Sequence, residues 1–276
     1  MASKPFGDLP LGQHTDYPDH YSPELLMPIP RQLARGDLGI DDEALPFYGM
    51  DVWTAYELSW LNSKGRPAVA TAEFSVPCDS PSIVESKSLK LYLNSLNNTA
   101  FENSEELAQT ITRDLSACAG SDFSVRLLSA ADWRQQQIGD LPGVNIDELD
   151  IIADTYLPDA GLLQIEQSNK QQQSFNSHLF RSLCPVTSQP DWASIWIDCA
   201  GPQIIADSLL KYLVSYRQHQ GFHEQCVEKI FVDLMRVCKP ERLTVAARFS
   251  RRGGLDINPI RSTERGEFQI PRLFRQ

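Results

Sequence analysis

The sequence lacks three features that would each place it in a large class of proteins. It has no apolar run of the roughly 20 residues that a membrane-spanning helix needs. Residues 1–31 contain no basic segment followed by an apolar core, so we expect no secretory signal. No Gly-x-Gly-x-x-Gly motif is present, which argues against a Rossmann-type nucleotide site. Six prolines within residues 1–31 predict an extended surface arm rather than a helix or strand.

Closely spaced cysteines are also missing, because none of the six forms a Cys-x-x-Cys pair. In a chain without a signal this pattern predicts reduced thiols, a cytoplasmic location and no structural zinc site. The formal net charge of −11 argues against binding to nucleic acid or to anionic membranes. The six residues are Cys78, Cys118, Cys184, Cys199, Cys226 and Cys238.

Positive charge is scarce overall but concentrated near the C-terminus. Residues 248–276 hold seven arginines against three acidic residues. Such a basic segment could bind a phosphorylated ligand, and it could equally be solvated surface or part of a subunit contact. The arginines are Arg248, Arg251, Arg252, Arg261, Arg265, Arg272 and Arg275.

The chain repeats itself at an offset of about 120 residues, since residues 81–95 resemble residues 202–216. Alternating apolar residues predict strands before and after each of these segments. Helical spacing of Leu107, Ile111 and Leu115, and of residues 226–237 in the second half, predicts a second helix in each copy. Each half therefore reads strand, strand, helix, helix, strand, with one further strand expected. We predict an α+β fold built from a tandem duplication, with antiparallel strands and helices on one face.

The two copies differ in their polar residues. The first has Glu85 and Ser86 where we align Ala206 and Asp207 of the second. The second has His223 and Glu224 where we align Glu102 and Asn103 of the first. This divergence favours one composite site that uses residues of both copies, although drift at surface positions would give the same pattern.

Residues 184–192 carry the strongest chemical signal. They place the thiol of Cys184 and the carboxylate of Asp191 seven positions apart, with Pro185 and Pro190 restricting the connection. A thiolate is a strong nucleophile, and a nearby carboxylate can carry protons for it. Alone, the segment also fits an inert buried cysteine.

Four stretches, residues 85–92, 184–192, 222–226 and 251–259, resemble motifs of the QueF family. These are the NADPH-dependent 7-cyano-7-deazaguanine reductases (nitrile reductases) of queuosine biosynthesis, a tRNA modification. The division of the motifs between the halves resembles the longer, two-copy subclass. The resemblance implies tunnelling-fold ββααββ repeats that close a barrel on dimerisation, hence a homodimer. We assign residues 1–35 to the arm, 36–155 to the first repeat and 156–276 to the second.

The resemblance implies covalent catalysis at the nitrile. The Cys184 thiolate would add to the nitrile carbon to give a thioimide, and Asp191 would protonate the nitrile nitrogen as the general acid. Two hydride transfers from NADPH would then give the primary amine. His223 would assist proton transfer or set the charge state of the thiol, unless it is a histidine of the core.

The substrate of such an enzyme is a planar deazapurine with ring N–H and amine donors. A buried carboxylate supplies two acceptors at once, which suits Glu224 as the anchor and Glu85 as a second one. Ser86 would bond the ring edge. Phe222 would stack on the heterocycle, unless it only packs in the core.

The implied cofactor, NADPH, carries phosphates that need cationic partners. Lys87 and Lys90 lie on one face of a predicted helix, and Arg251 and Arg252 would join them. Ser88 and Gly253 belong to the same two motifs and are assigned to the cofactor with them. We expect no metal, nucleic-acid or membrane partner.

Three rival functions remain open at this point. A zinc-dependent pterin enzyme resembling GTP cyclohydrolase would need ligands that Cys184 lacks at ligand spacing. A Cys-dependent hydrolase could be built from Cys184, His223 and Asp191, but it would leave the Glu-Ser-Lys motif unexplained. The third is a non-catalytic deazapurine-binding protein.

Overall fold

The computed structural model describes residues 18–135, 138–266 and 270–276. Most of the predicted arm, residues 1–17, lies outside this range. The α-helices are α1 (Gln32–Leu38), α2 (Ser86–Ser95), α3 (Ser104–Ala119), α4 (Ala130–Gln135), α5 (Ala206–Val214) and α6 (His223–Cys238). The strands are β1 (Pro28–Pro30), β2 (Tyr48–Leu61), β3 (Pro67–Pro77), β4 (Ser82–Val84), β5 (Ser124–Leu128), β6 (Val144–Asn145), β7 (Ile165–Leu183), β8 (Pro190–Ile204), β9 (Arg242–Phe249) and β10 (Leu255–Ser262).

The chain divides into two compact units. Within the described residues, unit 1 comprises residues 18–33, 52–135 and 251–256, and unit 2 comprises the rest. No helix in the described part of the chain is long and apolar enough to cross a membrane. The assignment of residues 36–155 and 156–276 to two evolutionary repeats stays a prediction.

Unit 1 contains the strand order β5–β3–β2 and a separate two-stranded sheet of β1 and β4. Strand β3 pairs with β5 in antiparallel register, with Phe74 opposite Val125. Helix α3 packs on β5. Its periodic residues Leu107, Ile111 and Leu115 are fully buried, as their spacing predicts, and each such burial contributes about 1.5–3 kcal/mol to folding.

Unit 2 contains the strand order β10–β9–β8–β7–β6. Strands β7, β8 and β9 pair in antiparallel register, while β6 joins the edge in parallel. Helix α5 packs on β7, and α6 packs on β8 and β9. The apolar face of α6 is fully buried, from Val227 to Leu234. The predicted α+β class, with antiparallel strands and packed helices, is confirmed, and the order β7–β8–α5–α6–β9–β10 is ββααββ.

The arm prediction is wrong in part, because residues 23–25 form a short 3₁₀ helix, residues 28–30 form a strand and α1 begins at Gln32. Ile29 pairs with Ile83 of β4 and is buried, while the flanking Pro28 and Pro30 are exposed. Proline removes a backbone donor and therefore excludes central strands, but a two-stranded edge tolerates it. The buried Ile29 is thus one of the contacts that attach the arm to unit 1, together with the bond from Met27 N to Ser88 Oγ.

Matching hydrogen bonds occur at the first helix of each predicted repeat. Ser88 Oγ donates to the Glu85 carbonyl at 2.7 Å, and Ser208 Oγ donates to the Ile205 carbonyl at 2.6 Å. Glu85 therefore corresponds to Ile205, so its alignment with Ala206 is wrong by one residue. The apolar pattern alone does not fix this register, whereas the serine that bonds back to the first helical turn does.

The second helices correspond in the same manner. The Tyr92 hydroxyl donates to Asp114 at 2.7 Å, and the Tyr212 hydroxyl donates to Asp233 at 2.9 Å. Because α3 begins at Ser104 and α6 at His223, the counterparts of His223 and Glu224 are Ser104 and Glu105. The alignment with Glu102 and Asn103 is therefore also wrong. The two copies then differ at this place only in His223, because Glu224 is matched by a glutamate, and the composite site stays a prediction.

A two-glycine turn leads into β10. Arg252 N donates to the Leu255 carbonyl at 2.9 Å, and the intervening Gly253 and Gly254 have φ of 60° and 75°. Both angles lie in the left-handed region that favours glycine. A Cβ on Gly254 would also lie 2.6 Å from the Glu57 carboxyl group. The turn therefore requires glycine at position 254 for two reasons.

We expect Gly254→Ala to lower the free energy of unfolding by about 1–3 kcal/mol, from backbone strain and the Glu57 contact. Urea denaturation measures this change. The control is Gly36→Ala in α1, where nothing lies within 4 Å of the added Cβ, so a gain of roughly 0.5–1 kcal/mol is expected. Equal effects at the two positions would contradict the described turn.

Candidate active site

The turn between β7 and β8 holds Cys184 in a fixed position. Cys184 N donates to the Gln189 carbonyl at 2.9 Å, and Ser188 N donates to the Cys184 carbonyl at 3.0 Å. Ser188 has a positive φ of 57°, and its hydroxyl accepts a 2.7 Å bond from the Gln220 side chain. The Cys184 side chain is buried. The proline-stiffened loop is therefore a closed turn.

A backbone bridge brings this turn to the start of α6. Leu183 N donates to the His219 carbonyl at 2.8 Å, and Gly221 N donates to the Leu183 carbonyl at 3.1 Å. The bridged segment runs directly into His223, the first residue of α6. The thiol of Cys184 and the first turn of α6 therefore lie at the same end of unit 2.

Unit 1 contains the same backbone bridge, but no cysteine follows it. Leu61 N donates to the Thr99 carbonyl, and Phe101 N donates to the Leu61 carbonyl, both at 2.9 Å. The residue after Leu61 is Asn62, in the place of Cys184. The same backbone bridge thus occurs in both units, and in unit 2 the residue that follows it is Cys184.

Asp191 and His223 form the polar pair of this site. The Asp191 carboxylate is 5% exposed, and its Oδ2 lies 3.5 Å from His223 Nε2. The imidazole stacks on Phe249, with ring centroids 3.7 Å apart and planes 1° apart. His223 Nδ1 is buried and has no hydrogen-bond partner among the described residues. The imidazole is therefore fixed by stacking and lies beside the Asp191 carboxylate.

Glu224 and Phe222 flank the histidine at the helix start. Glu224 is 3% exposed in the first turn of α6, where the helix dipole favours negative charge. Phe222 is the N-cap residue, and its backbone N donates to the Gln225 side chain at 3.1 Å. Phe222 lies at 9% exposure. A buried carboxylate and an aromatic ring thus stand beside the Asp191–His223 pair.

The pKa of the Cys226 thiol indicates that two carboxylates lie near it. Burial raises its pKa to about 12, with smaller contributions from the charges of Asp191 and Glu224. Both carboxylates therefore lie near the same thiol. Cys226 is protonated at neutral pH and cannot be the nucleophile. Burial also raises the pKa of Cys118 and Cys199 to about 11 and that of Cys238 to about 12.

In unit 1, Glu85 and Ser88 hold the start of α2. The Glu85 carboxylate is fully buried and accepts bonds from Lys87 N at 2.9 Å and Ser88 N at 2.7 Å, which makes it the N-cap. Ser88 Oγ accepts a 3.0 Å bond from Met27 N. Ser86 is the first residue of the helix. Glu85 and Ser88 therefore stabilise the start of α2, a role that the sequence pattern did not predict.

Of the predicted cofactor residues, Lys90 and Gly253 lie side by side at the two-glycine turn. Lys90 Cε lies 3.1 Å from the position that a Gly253 Cβ would occupy, so the lysine stem runs along the turn. Lys87 lies one turn earlier on α2. The Arg251 guanidinium stacks 3.7 Å from the Tyr56 ring centroid, and the Tyr56 hydroxyl donates to Asp256. These contacts place Lys90 beside Gly253, between Arg252 and the start of β10.

Other arginines of the basic segment have structural partners. Arg261 is fully buried and pairs with Glu228 and Asp51, both at 2.8 Å. Arg248 donates to the Ile270 carbonyl. Arg265 lies over the Tyr48 ring. The concentration of arginine near the C-terminus is therefore explained in part by folding. No group of three or more His, Cys, Asp or Glu in the described part of the chain could hold a metal ion.

The structure thus has an α+β fold in which a buried thiol in a closed hairpin turn and a carboxylate–imidazole pair at an adjoining helix start form a candidate cysteine-based active site. The chain belongs to the QueF family. Residues 17–127 match the family described as "Nitrile reductase, 7-cyano-7-deazaguanine-reductase N-term", and residues 190–267 match "QueF-like protein".

Curated relatives match along almost the whole length. The protein of Chromohalobacter salexigens is 52% identical over 268 residues, covering 97% of this chain and 96% of the relative. That of Dechloromonas aromatica is 52% identical over 262 residues, covering 95% and 92%. Both relatives are named NADPH-dependent 7-cyano-7-deazaguanine reductase.

Proposed function

We propose that this chain reduces the nitrile of 7-cyano-7-deazaguanine to the aminomethyl group, with NADPH as reductant, in queuosine biosynthesis. The observation that carries the proposal is the closed Cys184 turn joined by a backbone bridge to the Asp191–His223 pair. The names and near-complete coverage of the curated relatives support it. A hydrolase would use the same three residues, Cys184, Asp191 and His223. It would leave Lys90 and the two-glycine turn without a role.

The first step forms a bond between Cys184 Sγ and the nitrile carbon. The thiol proton passes to the Asp191–His223 pair, and Asp191 donates a proton to the nitrile nitrogen, so the covalent thioimide forms without an outside acid. His223 keeps this proton near Asp191, because stacking on Phe249 fixes its Nε2 toward the carboxylate. NADPH supplies the two hydrides, four electrons in all, that reduce the carbon.

Glu224 is the proposed anchor of the deazapurine, with Phe222 as its stacking surface. A buried carboxylate accepts two donors of a planar heterocycle and so selects it over analogues that lack them. Glu85 and Ser86 are assigned to the substrate by the family resemblance, and this assignment stays a prediction.

The residues at the two-glycine turn suit an anionic cofactor. Gly253 leaves the backbone open where a Cβ would contact Lys90, and Lys87, Arg251 and Arg252 add positive charge. We propose that these residues hold the phosphates of NADPH, while Ser88 acts indirectly by fixing the start of α2. We also propose a homodimer in the cytoplasm, with barrel closure supplied by the second chain; light scattering tests the dimer.

Asp191→Asn is expected to lower kcat by about 10²–10⁴-fold, because the amide cannot deliver the proton. Binding of 7-cyano-7-deazaguanine should change little, and calorimetric titration measures this separately. Asp198→Asn, on the same strand but paired with Arg242, is the control and should retain activity. A normal kcat in Asp191→Asn would remove the general acid from the mechanism.

Glu224→Gln is expected to weaken substrate binding by about 10–100-fold, the effect of losing charge-assisted hydrogen bonds. Titration of the nitrile into the protein without NADPH gives the dissociation constant. Glu241→Gln, an exposed carboxylate paired with Lys170, is the matched control. An unchanged constant in Glu224→Gln would disqualify it as the anchor.

The reaction itself is tested by mixing the protein with 7-cyano-7-deazaguanine and NADPH and following cofactor absorbance. Consumption of two NADPH per nitrile, with the primary amine as product, is the expected result. Release of ammonia or a carboxylic acid without NADPH consumption would establish the hydrolase instead. Binding of the nitrile with neither product would identify a non-catalytic binder.

A further inference from the structure

A group of arginines surrounds one exposed tryptophan in unit 2, apart from the residues assigned above. Trp192 is 38% exposed. The guanidinium carbons of Arg181, Arg217 and Arg275 lie 5.5, 5.7 and 5.8 Å from its ring centroid. These four residues are called the Trp192 cluster. They come from four separate parts of the chain, so the arrangement is a product of the fold.

The cluster is held by the fold of unit 2. Arg181 of β7 stands directly opposite Trp192 of β8. Arg217 belongs to the short 3₁₀ segment Ser215–Gln218 after α5. Arg275 donates to the His178 carbonyl at 2.8 Å. Each arginine is therefore positioned by a different element around the same indole.

The charge of the cluster has no counterpart in the described part of the chain. None of its three arginines forms an ion pair with a described carboxylate, whereas Arg236, Arg242 and Arg261 all do. Three like charges around one ring repel each other, and the attraction of the indole face offsets this only in part. In a chain of net charge −11, such a grouping without acidic partners is a site for an external anion.

A buried donor of Arg181 also favours an anion at this cluster. Arg181 Nε is buried and has no hydrogen-bond partner among the described residues. A buried donor without an acceptor is costly, and a guanidinium donates most strongly to a phosphate or carboxylate oxygen. An oxyanion among the three arginines would provide an acceptor for this donor and lower the repulsion at once.

We propose that the Trp192 cluster is an oxyanion site that binds a phosphate group. Asp191 and Trp192 are neighbours on β8, so their side chains leave opposite faces of the strand. The site is therefore separate from the Asp191–His223 pair, and binding of a free phosphate compound there would not depend on the proposed reaction. Its phosphate comes either from a free phosphate compound or from the dinucleotide cofactor.

The test is isothermal titration of the full chain with inorganic pyrophosphate and, separately, with NADPH, both without the nitrile. Wild type should bind pyrophosphate, and the Arg181→Ala/Arg217→Ala double variant should bind it about 10–100-fold more weakly. The single variant Arg217→Gln, which removes the charge and keeps the stem, should show part of this loss. Arg126→Ala, an exposed arginine paired with Glu73, should bind as wild type does.

The NADPH titration identifies the source of the phosphate. A parallel loss of NADPH affinity in the double variant assigns the site to the cofactor, and an unchanged NADPH affinity assigns it to a free phosphate compound. Absence of pyrophosphate binding to wild type, or equal binding to wild type and both variants, overturns the proposal. Dissociation of the oligomer in the variants, seen by light scattering, would make the cluster a subunit contact and overturn it as well.

Discussion

Cys184→Ala is expected to lower nitrile turnover by at least about 10⁴-fold, because the covalent route is lost with the nucleophile. Burial raises the pKa of four of the other five thiols to about 11 or 12 and so disfavours their thiolates, namely those of Cys118, Cys199, Cys226 and Cys238. NADPH absorbance in the presence of 7-cyano-7-deazaguanine measures the rate. Substrate binding should persist, since Glu224 and Phe222 are unchanged.

The matched control is Cys118→Ala, which removes a partly buried thiol of α3 in unit 1. Its turnover should equal that of wild type. The melting temperatures of the two variants separate loss of chemistry from loss of fold. Retained turnover in a folded Cys184→Ala variant would refute covalent catalysis at this residue.

Glu228→Gln is expected to lower the free energy of unfolding by about 3–5 kcal/mol, the effect of removing one partner of a buried ion pair. The Glu228 carboxylate accepts bonds from Arg35 at 2.7 and 3.0 Å and from Arg261 at 2.8 and 3.1 Å. All three side chains are at most 3% exposed. The neutral amide would leave two buried guanidinium groups short of negative charge.

Urea denaturation followed by tryptophan fluorescence measures this loss. Glu73→Gln removes the carboxylate of an exposed pair with Arg126, and its effect should stay below about 1 kcal/mol. Glu228 lies one helical turn after Glu224 on α6, so the same network also fixes the register of the helix that carries the site. If Glu228→Gln lowered the free energy of unfolding as little as Glu73→Gln does, the described ion-pair network of Arg35, Glu228 and Arg261 would be contradicted.

The sequence predicted those parts of the fold that depend on local pattern. Apolar spacing of Leu107, Ile111 and Leu115 was sufficient for α3, because a buried helix face has a period that a single sequence displays. No strand was predicted at residues 171–173, because Gln171, Gln172 and Gln173 lack the alternating apolar residues typical of a strand. Pairing with β8 makes them a strand despite their composition.

The candidate site was predicted in its residue types but not in its assembly. Cys184 and Asp191 are close in sequence, with Cys184 at the start of the hairpin turn and Asp191 at the start of β8, so their proximity follows from the hairpin. The approach of Cys184 to His223 depends on the Leu183–Gln220 bridge, a pairing between distant residues that no local pattern encodes. For the same reason, the capping role of Glu85 and the buried ion pairs of Arg261 appear only in the folded structure.

The central claim is that Cys184 attacks the nitrile carbon, and intact-protein mass spectrometry tests it most directly. The protein is mixed with 7-cyano-7-deazaguanine without NADPH, and the masses of wild type and Cys184→Ala are compared. Wild type is expected to gain the full mass of the nitrile at Cys184, and NADPH is expected to remove this adduct. The variant is expected to show no gain in mass. An unmodified wild-type protein that nevertheless consumes NADPH and forms the amine would contradict it.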